Sequence, residues 1–223
     1  MEEWHVLDAP WRAALELAWE AFAAGTIPVG AVVTDADGTV LARGRNRIME
    51  SSAPEGQIFG SRVAHAEINA LVQLSMGRRY FDCTLWTTLE PCAQCIGAAW
   101  LSTIGRVAFA ATDIYGGASK LIEREIEAAD SARNFPMEVE GPLAGALEVF
   151  SELLHVTFFV AGPGDDAVAQ VFRERRPHIV ALAERVRLGD LAASGLDDVL
   201  PRIWDALATV AALPLQRQDR PLH

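Results

Sequence analysis

Apolar and polar positions follow two different periods along this chain. Leu15, Ala18, Trp19 and Phe22 recur at helical spacing and predict a helix from Pro10 to Ala24. Asp8 is its N-cap candidate and Gly25 its stop. Two short apolar runs, Val29–Thr34 and Val40–Arg43, flank Asp37-Gly38 and predict a hairpin. Residues 48–63 hold Pro54, Gly56, Gly60 and several serines, a loop long enough to serve as a lid over a site.

Beyond that loop the periodicity predicts a helix from His65 to Met76 ending at Gly77, a strand at Leu85–Thr88, a helix from Pro91 to Leu101 and a strand at Arg106–Ala111. A helix near Lys120–Ala129 and a short strand near Met137–Glu140 follow. Leu143–Gly162 is the most apolar stretch, but it contains Glu148, Glu152 and His155, so it reads as a buried helix and not a membrane span. The order of elements predicts an α/β fold, a three-layer α/β/α arrangement around a central mixed sheet. Gly162-Pro163-Gly164 is the clearest break. The expected division is a domain over residues 1–162 and a C-terminal helical extension over 163–223, with helices at Asp165–Leu188 and Leu196–Leu213.

Charge changes this picture in one respect. Residues 161–223 carry 8 arginines and 9 acidic residues, a balance of −1, so residues 1–160 hold −10 of the net −11. A surface that wraps a polyanion needs the opposite sign, so no nucleic-acid partner is expected and a small molecule is favoured. The N-terminal residues Met1-Glu2-Glu3-Trp4-His5 have no basic start followed by an apolar run. A cytoplasmic location without membrane contact is the expectation.

Three cysteines, two of them three positions apart, do not make a disulfide framework. Cys83 reads as a small buried apolar residue on a strand. Cys92 and Cys95 share one face at the start of a helix, where Pro91 suits the first turn and the helix dipole favours thiolates. His65 starts the other helix and supplies a third ligand, so the expected cofactor is one zinc ion (Zn2+) per chain with a fourth position open for water. That arrangement activates water near neutral pH. Glu67, two residues from His65, is the candidate catalytic group that moves protons, provided the backbone at the helix start lets both side chains reach the pocket. A histidine, glutamate and Cys-x-x-Cys set of this form is the signature of zinc deaminases.

These residues resemble the cytidine deaminase-like superfamily, in the branch of tRNA adenosine deaminases, guanine deaminases and fungal-type cytosine deaminases. The resemblance spans about residues 10–160 and rests on Pro28-Val29-Gly30-Ala31, Asn46, His65-Ala66-Glu67, Glu90-Pro91-Cys92-x-x-Cys95 with Gly97-Ala98, Gly105-Arg106-Val107 and Asp113. It implies a zinc-dependent hydrolase that turns the exocyclic amine of a nucleobase, nucleoside or related heterocycle into a carbonyl, with purines such as guanine favoured and tRNA adenosine the alternative. It further implies that Asn46 bonds the substrate base, that Val29 and Ala64 line its pocket, that Asp113 is a polar residue on the substrate side, and that the protein is a homodimer. The chain departs from the branch at Gln94, where methionine is usual. Nor is the basic C-terminal helix typical of the tRNA enzymes evident: Lys120 is the only lysine, although Arg173, Arg175 and Arg176 form a short basic cluster that reads as a solvated helix face.

Overall fold

A computed structural model of the chain describes residues 2–121 and 137–213. The expected helix near Lys120–Ala129 lies almost wholly outside the described residues. The chain opens with α1 (Glu2–His5) and α2 (Ala9–Ala23), followed by β1 (Gly30–Thr34) and β2 (Val40–Arg45). Next come α3 (Ala66–Leu71), β3 (Thr84–Leu89), α4 (Ala93–Leu101), β4 (Arg106–Ala111) and β5 (Glu138–Glu140). The described chain closes with α5 (Ala146–Ala161), α6 (Asp166–Arg175), α7 (Pro177–Val186), a short 3-10 turn at Leu188–Leu191, and α8 (Leu196–Ala211).

The five strands form one mixed sheet in the order β2-β1-β3-β4-β5. The β1–β2 and β1–β3 pairs are antiparallel, and the β3–β4 and β4–β5 pairs are parallel. Side-chain alternation along the strands divides the core. Ala31, Val33, Leu85 and Val107 face α3 and α4, whereas Val32 packs with Ala13 and Ala14 of α2, and Ala108 with Trp11. The three-layer α/β/α architecture is therefore as expected.

Two glycines set how closely the layers approach. A Cβ on Gly30 would lie 2.1 Å from the carbonyl oxygen of Ala14 in α2, and one on Gly44 would lie 2.3 Å from that of Ala66 in α3. Gly44 thus seats the first turn of α3, which holds Glu67 and follows His65, directly against the sheet.

Several helix limits differ from the sequence reading. α3 stops at Leu71 and not at Met76, because Val72–Leu74 close into tight turns and the Gln73 amide caps the Asn69 carbonyl. α4 begins at Ala93 with Cys92 as its N-cap, so Pro91 stands outside the helix. The expected helix over Asp165–Leu188 is two helices and a 3-10 turn. Pro177 opens α7, and its ring keeps Arg176 out of helical conformation, at φ −134° and ψ 46°. The loop over 48–63 is fastened: Asn69 accepts from the Ile58 N–H and donates to the Ile58 and Arg45 carbonyls, and Arg47 Nε donates to Gln57.

The helix α5 is apolar nearly all round because it is covered twice. One side lies on β3 and β4, and the other meets α6, α7 and α8. The same cluster takes in Trp4, Leu15 and Trp19. Trp4 Nε1 donates to Asp197 of α8 at 2.8 Å, and Trp19 Nε1 donates to the carbonyl of Ser194, in the turn before α8, at 2.9 Å. Among the described residues no helix is long and apolar enough to cross a membrane.

His155 lies within this cluster, its ring against Phe159 and Phe172. Burial lowers its pKa from the ordinary value of 6.5, and the Asp113 carboxylate only partly opposes this. The unfolded chain therefore binds a proton on this ring more readily than the folded one. Stability from this group is present above pH 6.5 and is lost as pH falls below it, at up to about 1.4 kcal/mol per pH unit. A His155→Gln variant is expected to show a shallower fall than the parent when urea midpoints are followed from neutral to mildly acidic pH.

Candidate metal centre and substrate pocket

Two helix beginnings meet at one end of the sheet. His65 is the N-cap of α3, with φ −75° and ψ 159°, and Cys92 is the N-cap of α4, with φ −72° and ψ 173°. Both residues are extended, and each chain turns into its helix immediately afterwards. Cys95 lies in the first turn of α4, fully buried.

The ligand atoms converge. His65 Nδ1 is 3.6 Å from Cys92 Sγ and 3.4 Å from Cys95 Sγ, and the three candidate ligand atoms lie within 4.8 Å of one another. A tetrahedral zinc with Zn–N near 2.0–2.1 Å and Zn–S near 2.3 Å would separate nitrogen from sulfur by about 3.5 Å. One imidazole nitrogen and two sulfurs are also the donor set zinc prefers. The expected donor set is therefore gathered in one place, and with three protein ligands a bound zinc would keep a further position for water.

The pKa of Cys92 is held down to about 4, chiefly by a hydrogen bond from Cys95 and against the effect of burial, and Cys95 is pushed up, first by the same bond. The pKa of His65 is raised, mainly by its hydrogen bond to Cys92. Glu67 is 4% exposed. Burial pushes its carboxyl up, the charge of His65 opposes this, and the carboxyl hydrogen-bonds Cys95. The two-residue spacing between His65 and Glu67 is accommodated because His65 stands before the helix and Glu67 within its first turn.

A second group of residues is drawn together by backbone bonds. The Asn46 N–H donates to the Val29 carbonyl at 3.0 Å, and the Arg47 N–H donates to the Ala64 carbonyl at 2.9 Å. Val29, Asn46 and Ala64 are all buried. Asn46 Oδ1 accepts from Thr26 Oγ1 at 2.8 Å and from the Ile48 N–H at 3.0 Å. Because the Ile48 N–H can only donate, the Asn46 oxygen is fixed in that direction. Its NH2 end is what remains to be presented.

Asp113 is held by a separate set of hydrogen bonds. Its Oδ1 accepts from the N–H groups of Tyr115 and Gly116, at 2.8 and 3.0 Å, and so shapes the turn that follows β4. Gln94 is exposed and donates to the Val63 carbonyl, joining α4 to the end of the 48–63 loop. Cys83 lies 1% exposed, with its thiol pushed up to about 11 by burial and by Asp82.

Two residues near the site carry no role in the sequence reading. Thr26 orients Asn46, but nothing in a helix-terminating Gly-Thr pair signals a contact 20 positions away. Glu90 accepts hydrogen bonds from Asp113 and Ser119. Its place immediately before Pro91-Cys92 was the available signal.

Comparisons with known proteins bear on this geometry. Residues 7–111 match the family described as cytidine and deoxycytidylate deaminase zinc-binding region. The chain is 35% identical over 120 residues to the cytosine deaminase of Candida albicans, covering 52% of this chain and 74% of that one. It is 42% identical over 110 residues to the tRNA-specific adenosine deaminase of Haemophilus influenzae, covering 48% and 59%. It is 41% identical over 115 residues to the tRNA(Ile)-lysidine synthase of Deinococcus radiodurans, and there it spans only 18% of the relative's length. A solved structure from work on A-to-I editing by tRNA:A34 deaminases superposes with a TM-score of 0.51 at 28% identity, over 65% of this chain and 97% of that one. With His65, Cys92 and Cys95 as its candidate zinc site, the chain belongs to the cytidine and deoxycytidylate deaminase family.

Proposed function

We propose that this chain is a hydrolytic deaminase acting on a free nucleobase, nucleoside or related aminated heterocycle, with purines such as guanine favoured. The observation that carries the reading is the buried Glu67 carboxyl beside a three-ligand zinc site. Zinc bound by His65, Cys92 and Cys95 would supply Lewis-acid activation of water.

The remaining work falls to the chain's own residues. Glu67 takes a proton from the attacking water and delivers it to the ring nitrogen beside the amine-bearing carbon. A second proton passes through the same carboxyl to the departing nitrogen, so that water and amine become carbonyl and ammonia. A carboxyl whose pKa is raised by burial is suited to carrying protons in both directions. Val29 and Ala64 form apolar walls, and Asn46 offers its NH2 to an acceptor on the ring. Asp113 contributes through the loop it shapes.

Asn46→Ala should raise KM and lower kcat/KM by about tenfold or more, the worth of a buried hydrogen bond, with zinc content unchanged. Asn46→Asp should be worse at neutral pH, since it presents an acceptor where a donor is needed. Steady-state kinetics on the substrate found by a panel decides both.

That panel tests the function itself. Ammonia release is followed from guanine, cytosine, adenine, their nucleosides and aminotriazines with zinc-loaded protein. Turnover of at least one is expected, and turnover of none would overturn the reading. A second reading is editing of adenosine in tRNA, favoured by the similarity to the Haemophilus influenzae enzyme. The balance of −10 over residues 1–160 opposes it. Salt-dependent binding and editing of an anticodon stem-loop would establish it in place of the first.

We further propose that residues 1–162 hold the chemistry, that 163–223 buttress them, and that the protein is a homodimer. Exposed Val72, Met76 and Leu101 provide an apolar surface around α3 and α4 for self-association. A sedimentation mass of one chain would refute the dimer.

A further inference from the structure

Glu90 links β3 to the zinc-binding turn. Its N–H donates to the Ala111 carbonyl at 2.7 Å and extends the parallel pairing of β3 with β4. Its side chain turns toward the segment after β4. There Oε2 accepts from the Asp113 N–H at 3.2 Å, and Oε1 accepts from the Ser119 N–H at 3.3 Å and from Ser119 Oγ at 2.6 Å. One carboxylate thus gathers both ends of the 113–119 loop.

The middle of the loop is fitted to the same group. A Cβ on Gly117 would lie 2.4 Å from Glu90 Oε2 and 2.6 Å from the Asp113 carbonyl oxygen, so only glycine allows this approach. Gly117 also bridges to Cys92, and the Ala118 N–H donates to the Pro91 carbonyl at 2.9 Å. Inside the loop, Asp113 holds the Tyr115 and Gly116 amides. The segment is therefore pressed onto the residue that carries a zinc ligand, with Tyr115 60% exposed on it.

We propose that Glu90 is a positioning residue that fixes the 113–119 loop as a wall of the substrate pocket and so sets substrate affinity, without moving protons itself. The inference rests on the deaminase reading above. The chemistry requires a carboxylate: three donors point at two oxygens, and an ionised carboxylate is the side chain that accepts at both and donates at neither. A glutamine would set its NH2 against either the Asp113 N–H or the Ser119 N–H.

The test uses full-length, zinc-loaded protein and two readouts. In Glu90→Gln, amide hydrogen exchange over 113–119 should rise about tenfold or more, as expected for a lost charge-assisted bond, while exchange in α3 and α4 stays unchanged. KM for the substrate identified by the panel should rise by a similar factor, with kcat within about threefold. Ser119→Ala removes only the hydroxyl contact and should move both readouts the same way by less. It also keeps the test available if Glu90→Gln does not fold. Unchanged exchange in the loop overturns the proposal. So does a loss confined to kcat, which would place Glu90 in proton movement, and so does altered exchange with unaltered KM. If the parent turns over nothing, the deaminase reading fails separately. The substrate-affinity claim then fails with it, and the exchange result still decides whether Glu90 fastens the loop.

Discussion

Replacing Glu67 with glutamine is expected to lower kcat by about 10³-fold while leaving zinc content and fold intact. Glutamine keeps the shape and a hydrogen-bonding group next to Cys95, so the buried position is not left empty. What it cannot do is accept and release a proton. KM should change little, because substrate contact is assigned to Asn46, Val29 and Ala64. Metal analysis and steady-state ammonia release on the same preparation separate the two effects. A variant with no zinc would show that Glu67 supports the ligands structurally. A variant with full activity would remove Glu67 from the chemistry and leave a zinc-stabilised interaction module as the better description.

The second large effect is at the metal itself. Cys95→Ser should weaken zinc binding by more than about 100-fold, beyond the cost of losing an outer hydrogen-bond partner, and should abolish turnover. Cys95 is fully buried in the first turn of α4, so the substitution removes a thiolate from the middle of the ligand set. Bound metal stabilises the folded chain by about 2.7 kcal/mol when present at a hundredfold excess over its Kd. The variant should therefore melt lower than the parent in zinc and at nearly the same temperature as the parent in chelator. Competition with a chromogenic chelator gives the affinity. Retention of one zinc per chain with near-parental affinity would remove Cys95 from the ligand set.

Much of this site could be read from the residues alone, and the reasons are local. Cys92 and Cys95 are three apart at a helix start, one as N-cap and one in the first turn, so both thiols lie at the same helix end. The hairpin follows from Asp37-Gly38, with Gly38 at φ 81° as such a turn requires. The order of helices and strands predicted a mixed sheet covered by helices, as the structure has it. The spacing of His65 and Glu67 was harder to read, because it depends on one backbone angle: ψ of 159° at His65 keeps that residue out of the helix. Periodicity also overran the end of α3, since Leu74 and Met76 continue an apolar pattern that the turns at Val72–Leu74 interrupt. Pro177 opens α7 and breaks the expected Asp165–Leu188 helix, although the apolar period continues across it.

The contacts that the sequence did not reveal are long-range and polar. Thr26 to Asn46 spans 20 positions, and Glu90 to Ser119 spans 29. Neither pair has a periodic signature. A threonine after a helix and a glutamate after a strand are ordinary residues until the fold brings their partners to them.

The cluster that joins Trp4, Leu15 and Trp19 to α8 also fixes an order of events during synthesis. About 170 residues separate the end of α2 from the start of α8. At ~5–20 residues per second, the ribosome needs about 10–30 s to cover that span. Within that interval the strands and both zinc-binding turns emerge first, while Trp4 and Trp19 still lack Asp197 and Ser194, the groups they donate to. A nascent chain could acquire its metal before its tryptophans are covered. Chaperone demand should then fall late, when α8 arrives, and not when the metal site forms.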